Sequence, residues 1–418
     1  MKMNRWVYAA AGVVVLLFAG LVYAWSVVSR PVAAYFTGWT TARLSLTFTI
    51  CMAFFCLGGL TAGILSGKLN VKINMVISAV LFLAGFTVAA NMQFVFQLYI
   101  GYGVLAGTAS GFAYNTTMGT VTKYFPDKPG LISGILLMGF GMGSFIIGKV
   151  YQALTGAGEA FRSSFQVFGI ILFIVMLISC LFIRRPDLEE LEKYAVKSTK
   201  NTKGDVLGSS RELNAGQMLK RSSFWLYFIW AVLLSAAGLA LIAQASAVAV
   251  EINPNADAGT VSTAAGMISI FNGIGRVIFG GVYDKFGRAK TMLLADGVFI
   301  TAVVLLLAAM KGKNFLILIV GYIIAGLAYG AITPTNSAFI GEFYGRKNYS
   351  VNFSLINMNL LAASFGGTIA GGLFDDSGSY FTTMVFMAVA IIVGSLSGLL
   401  VKKTGSSDQA VRRTGTIV

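Results

Sequence analysis

The chain has 418 residues, 56% hydrophobic and 11% charged, with a mean hydropathy of +0.78. A soluble domain carries about 25% charged residues, so these values exclude an ordinary water-soluble globule. A net charge of +15 would suggest nucleic-acid binding in a soluble protein, but 24 of the 31 Lys and Arg fall on one side of a membrane once the spans are placed, which excludes that reading.

Twelve apolar runs reach or approach the roughly 20 residues a helix needs to cross hydrocarbon. They lie at 6–29, 43–66, 73–90, 97–121, 130–155, 164–184, 224–250, 261–283, 290–310, 316–340, 350–374 and 379–402. The first is longer than the apolar core of a signal peptide, about 7–15 residues, and reads as a retained span. Cys51, Cys56 and Cys180 all fall inside spans and read as small packing residues, not disulfides. His is absent, which removes the usual proton shuttle and the commonest metal ligand. No metal, cofactor or enzymatic motif is expected. With both termini cytoplasmic, only Arg30, Arg43, Lys149, Arg162, Lys311 and Lys313 face outward and Arg276 lies within a span, so the positive-inside rule sets the orientation. The expected location is the cell (inner) membrane, multi-pass, with acidic lipid headgroups attracting the basic side.

Span 2 is followed by Gly63-Ile-Leu-Ser-Gly67-Lys68-Leu-Asn70-Val-Lys72, and span 8 by Gly280-Gly-Val-Tyr-Asp284-Lys285-Phe-Gly287-Arg288-Ala-Lys290. Residues 107–126 likewise superpose on 326–345. Similar segments at matching span numbers indicate a six-plus-six repeat. The polar stretch 185–222, with Arg184-Arg185-Pro186 and Glu189, Glu190 and Glu192, separates the halves and reads as a solvated connector. The division is 1–184, first bundle; 185–222, linker; 223–403, second bundle; 404–418, cytoplasmic tail. Glycines 134, 139, 141, 143 and 148 in span 5, and 366, 367, 371 and 372 in span 11, allow close backbone approach, as rocking contacts between halves or as plain packing within them.

Arg276 stands alone near the middle of span 8. A guanidinium there costs about 2.5–3.5 kcal/mol on insertion scales, so such residues line polar cavities and meet anions. Asn272 sits one turn earlier on the same face. Arg276, Tyr114 and Asn357 each lie seven residues from the cytoplasmic end of their spans, and Tyr329 eleven, so these groups share a depth. Arg presents a planar fork that fits a carboxylate, Asn272 a further donor, and Tyr a donor with an apolar wall. Asn357 and Asn359 divide evenly between substrate contact and interhelical bonding. Asp296, six residues into span 9, reads as part of a latch with Asp284 and Arg288 or as a buried acid.

The loop after span 8 resembles the signature loop of the major facilitator superfamily, in which glycine makes the reversal and charges tie helix ends together on the cytoplasmic side. The implied fold is an all-α membrane protein of twelve transmembrane helices in two pseudo-symmetric six-helix bundles. In the span 2 copy, Gly67 replaces the acid and Asn70 the second glycine, so the stronger latch is expected in the second half. Gly20 to Ser26 with Pro31, Tyr124 to Gly134, and Phe343 to Asn348 resemble the oxalate/formate antiporter family, which is related to the monocarboxylate transporters. The resemblance implies a substrate-binding arginine in span 8, matched by Arg276, with Asn272, Tyr114 and Tyr329 as further contacts. It also implies a span 11 lysine in oxalate carriers, at the position of Asn359 here.

A neutral Asn359 would leave one carboxylate of a dianion unpaired, a penalty of several kcal/mol. A secondary carrier of a monocarboxylate such as lactate, pyruvate or formate is therefore expected, working by alternating access as a monomer, with a proton or a counter-anion left open as the coupled species. The alternatives are an oxalate:formate-type exchanger and, in another class, a hydrophobic drug exporter, which the positive central charge disfavours.

Overall fold

The computed structural model describes residues 4–39, 41–154, 160–187, 189–191, 194 and 212–401. Every regular element among them is helical. Eight helices are long and apolar enough to cross a bilayer by length and composition. One of these, Gly259–Gly312, has 54 residues, roughly 80 Å of helix, and supplies two crossings. It turns at Gly287, whose φ of 72° and ψ of 177° are open only to glycine, so spans 8 and 9 meet at the signature loop.

Spans 1, 4 and 5 complete the twelve. Span 1 is Arg5–Ala19 and Trp25–Tyr35, joined by a 3₁₀ turn at Gly20–Ala24. Span 4 runs through Val95–Leu98, a π-helical Tyr99–Ala106 and Gly107–Val121. Span 5 is Pro129–Leu154. The breaks in spans 1 and 4 are why composition and length alone do not single them out. Asn70, Asp257 and Asn314 cap spans 3, 8 and 10 through side-chain oxygens, as polar residues ahead of apolar runs do.

Within the first half, spans 2 and 4, 3 and 6, and 1 and 5 pack together; within the second, spans 8 and 10, 7 and 12, and 7 and 11 do so. The halves meet along two main seams, span 5 on span 8 and span 2 on span 11. Adding or subtracting six converts one seam into the other, as a six-plus-six repeat requires. The end carrying the N-terminus and the connectors after spans 2, 4, 8 and 10 is called the base here, and the opposite end the mouth. At the span 5–8 seam the backbones touch at Gly130 and Gly280, and a Cβ at Gly134 would overlap the Arg276 carbonyl oxygen. Gly139 and Gly143 instead face Val13 and Leu17 of span 1, and Gly366 and Gly367 face span 7. The glycine runs therefore serve both purposes: part of span 5 forms the interface between halves, and the span 11 glycines named pack within the second half.

Among the described residues, the hydrogen bonds between halves run from mid-depth to the base. Asn115 Nδ2 donates to the Ser350 carbonyl at 3.0 Å and to Ser354 Oγ, Ser354 Oγ donates to the Gly59 carbonyl, and the Ser133 and Ser337 hydroxyls meet at 2.5 Å. The base is closed.

The connector departs from a purely solvated stretch. Glu190 is buried and accepts from Arg184 at 2.7 Å. Glu212 accepts from the amides of Arg346 and Lys347 at 3.2 and 2.7 Å. Both ends of the connector are thus tied to the bases of the bundles. Glu192 and the tail 404–418 lie outside the described residues. Beside the first tie, Arg5 grips Asp127 at 2.6 and 3.0 Å. Partial burial pushes the Asp127 carboxyl up, but the Arg5 hydrogen bonds and charge outweigh it and hold it below the usual carboxylate range.

Candidate functional site

A cavity of about 40 Å³ lies between the halves at the depth of Arg276. Phe55 of span 2, Tyr114 of span 4, and Leu137 and Phe140 of span 5 form its first-half wall. Ser235 of span 7, Arg276, Tyr329, Ile332 and Thr333 of span 10, and Leu360 of span 11 form the other. Such a space holds a few waters or a molecule of a few heavy atoms. A larger cleft of about 410 Å³ toward the mouth is lined by second-half residues without a basic group. Its acid, Asp257, is engaged in capping Thr260.

Arg276 is fixed from three sides. Its backbone is pressed between spans 5 and 10, because Gly134 and Gly330 carry no side chain to hold the helices apart. Nε donates to Asn272 Oδ1 at 3.0 Å, and Nη1 donates to the Leu137 carbonyl at 2.5 Å. That second bond crosses between halves and needs Gly141, where a Cβ would lie 3.2 Å from Nη1. Among the described residues, Nη2 has no hydrogen-bond partner and no acid pairs with this guanidinium. Nδ2 of Asn272 is also buried without an acceptor. A positively charged group and a spare donor are therefore presented without a protein anion to satisfy them, an arrangement that suits an anionic guest.

The other predicted residues separate into those on the lining and those behind it. Tyr114 is on the lining, packed edge-on against Phe55 and Phe140 and stacked on Phe353. Tyr329 is also on it, its ring seated over Gly238, where any Cβ would overlap it. Asn357 lies beside the Tyr114 hydroxyl, and its own carbonyl meets Cys56 Sγ at 3.9 Å. Asn359 turns away toward span 7, donating to the Ala231 carbonyl at 3.3 Å and to Ser235 Oγ at 3.2 Å. Neither asparagine is on the lining.

Asp284, Arg288 and Asp296 do not converge on one tie. Asp284 lies before the bend at Gly287 and accepts from the amides of Gly130 and Leu131 at 2.7 and 2.8 Å, so it caps the start of span 5 across the seam. Arg288 lies after the bend and donates to the carbonyls of Gly398, in the last turn of span 12, and of Val401, just beyond it. Asp296, two turns further along, accepts from Trp230 Nε1 at 2.8 Å in the second-half core. Among the described residues, the span 2 copy of the loop makes no hydrogen bond to the other half; Asn70 caps its own span 3.

Removing the Asp284 charge should loosen the start of span 5. Hydrogen bonds to a charged acceptor are worth about 1.5–3 kcal/mol, so Asp284→Asn is expected to speed amide exchange of a 129–135 peptide by roughly tenfold or more. Unchanged exchange there would remove Asp284 from the seam.

The sequence model of the Major Facilitator Superfamily matches residues 8–254 and 233–415. The chain belongs to that superfamily. It is a multi-pass membrane protein and a secondary transporter. It is 27% identical to the oxalate:formate antiporter of Oxalobacter formigenes over 412 residues, covering 96% of this chain and 93% of that one. It is 24% identical to monocarboxylate transporter 13 of Rattus norvegicus over 321 residues, 76% of this chain and 70% of the other. Among solved structures, the proton:xylose symporter XylE superposes with a TM-score of 0.74 at 14% identity, covering 96% of each chain. The E. coli fucose:proton symporter FucP gives 0.67 at 15% identity, covering 96% of this chain and 100% of that one. These superpositions support the facilitator fold alone.

Sequence reasoning missed Ser235, Thr333 and the apolar walls of this facilitator's cavity. Phenylalanine and leucine carry no distinguishing signal in a chain this apolar. Ser235 had one: it is the only hydroxyl between Tyr227 and Ser246 of span 7.

Proposed function

We propose that this facilitator carries small monocarboxylates of the lactate, pyruvate or formate type across the inner membrane, with both termini cytoplasmic and as a monomer. The observation that carries the reading is the Arg276 guanidinium, held by Asn272 and the Leu137 carbonyl, with Nη2 unpaired at a cavity of about 40 Å³. One carboxylate would take that charge, Tyr114 and Tyr329 would supply hydroxyl donors, and the apolar walls would accept a short carbon tail. Asn357 and Asn359 would act from behind the lining. Bundles 1–184 and 223–403, joined by the 185–222 linker, would rock about the site, with Asp284 releasing the span 5 terminus whenever the base opens. Arg288 and Asp296 would keep the second bundle rigid during that motion.

A dicarboxylate-for-monocarboxylate exchange is the second reading, favoured by the similarity to the oxalate:formate antiporter. The lining opposes it, because Arg276 is its only cation and the Asn359 amide is engaged with span 7. The test is labelled lactate uptake into proteoliposomes, with and without an imposed pH gradient, in competition with unlabelled lactate or oxalate. Lactate is expected to compete at least about tenfold better than oxalate, since an unpaired second carboxylate costs several kcal/mol. Oxalate winning that competition would replace the first reading with the second. Stimulation by the gradient would identify the proton as the coupled species.

A further inference from the structure

Ser235 sits in the middle of span 7 and reaches the cavity wall. A serine inside a helix ordinarily returns its proton to the carbonyl four residues earlier, as Ser133 does in this chain. For Ser235 that carbonyl belongs to Ala231, and Asn359 Nδ2 already donates to it at 3.3 Å. The same nitrogen donates to Ser235 Oγ at 3.2 Å. The serine oxygen is thus engaged as an acceptor, and its own hydrogen has no acceptor among the described residues. Asn359 is fully buried and bridges spans 11 and 7, so it holds this arrangement firmly.

We propose that Ser235, oriented by Asn359, is a specificity-determining residue of the cavity: its hydroxyl donates to a neutral oxygen on the carbon next to the substrate carboxylate. Ser235 and Arg276 line the same small cavity, so a guest whose carboxylate meets Arg276 has only a few further atoms to present to the Ser235 hydroxyl. The site then favours 2-hydroxy and 2-oxo monocarboxylates over plain ones of the same length. Asn359 is a positioning residue; its contribution is to deny Ser235 its usual intrahelical acceptor. This inference rests on the monocarboxylate reading.

The experiment is exchange of labelled lactate and labelled propionate, which differ by the 2-hydroxyl, in proteoliposomes of wild type, Ser235→Ala, Ser235→Thr, Asn359→Ala and Arg276→Gln. Losing one neutral hydrogen bond changes affinity by up to about tenfold. The lactate half-saturation concentration is therefore expected to rise about tenfold in Ser235→Ala and Asn359→Ala. The ratio of the lactate to the propionate half-saturation concentration should rise with it, and Ser235→Thr should restore lactate preference. Equal loss for both substrates, or no loss for either, with propionate exchange still dependent on Arg276, overturns the role of Ser235 and leaves the monocarboxylate reading standing. Absence of exchange of either acid in wild type, or exchange indifferent to Arg276→Gln, overturns both.

Discussion

An Arg276→Gln carrier is expected to lose at least about thirtyfold in lactate uptake in proteoliposomes while remaining folded. Stripping a partner from a buried, hydrogen-bonded charge pair costs about 2–5 kcal/mol, which spans roughly thirtyfold to several thousandfold in affinity. The glutamine fills similar space and can still reach Asn272, so the loss isolates the charge. Thermal stability supplies the internal control. Without substrate the guanidinium is a charge with no counterion among the described residues, and removing such a charge from an apolar bundle is neutral or stabilising. The melting temperature of Arg276→Gln should therefore stay level or rise as transport falls. Arg276→Lys should fall between, since a lysine keeps the charge but cannot hold Asn272, the Leu137 carbonyl and a carboxylate together. Normal lactate uptake by Arg276→Gln would end the anion-site assignment.

The same isolated charge explains why this part of the site was legible in the sequence. One basic residue inside an apolar run is visible without an alignment, and residue counting from span ends places Tyr114 and Tyr329 near it; all three line one cavity. What stayed hidden was decided by side-chain direction. Asn359 was equally open to substrate contact or interhelical bonding, and only the helix packing turns it toward Ala231 and Ser235. The signature loop announced a charged device at the base, but its partners could not be read. The turn at Gly287 sends Asp284 and Arg288 to different helix ends, where Asp284 takes amides that the start of span 5 leaves unsatisfied and Arg288 binds carbonyls at the end of span 12. The fold shows the same division. Apolar periods disclosed the spans, whereas the 3₁₀ turn at Gly20–Ala24 answers to a tertiary contact, the close approach of Gly20 to the Phe140 carbonyl.

Arg276 also links occupancy to the position of the halves, because its Nη1 bond to the Leu137 carbonyl crosses the seam. A carboxylate that draws the guanidinium toward the cavity weakens or re-aims that bond. A ligand shifts a conformational equilibrium only through such differential contacts. The glycines beside it set how closely the halves can approach: Gly141 gives the guanidinium room, and Gly134 lets span 5 rest directly on the Arg276 carbonyl.

Gly134→Val should therefore hold the base open. Its Cβ would overlap backbone, which cannot swing aside as a flexible side chain can, so spans 5 and 8 must separate where the closed state brings them together. Overpacking of this kind costs about 1–3 kcal/mol or more, enough to move a two-state equilibrium by roughly five- to 150-fold. In a background lacking the native cysteines, Ser337→Cys probes the seam, because the Ser337 hydroxyl faces Ser133 across it at 2.5 Å. Adding Gly134→Val should raise maleimide labelling of that cysteine in detergent by at least about fivefold and reduce lactate uptake by a similar factor or more. Gly372→Ala is the matched control: a Cβ there meets nothing within 4 Å, and alanine favours a helix over glycine by about 1 kcal/mol, so transport and labelling should be unchanged. A Gly134→Val carrier that labels and transports like its parent would show that the span 5–8 seam does not have to close during the cycle.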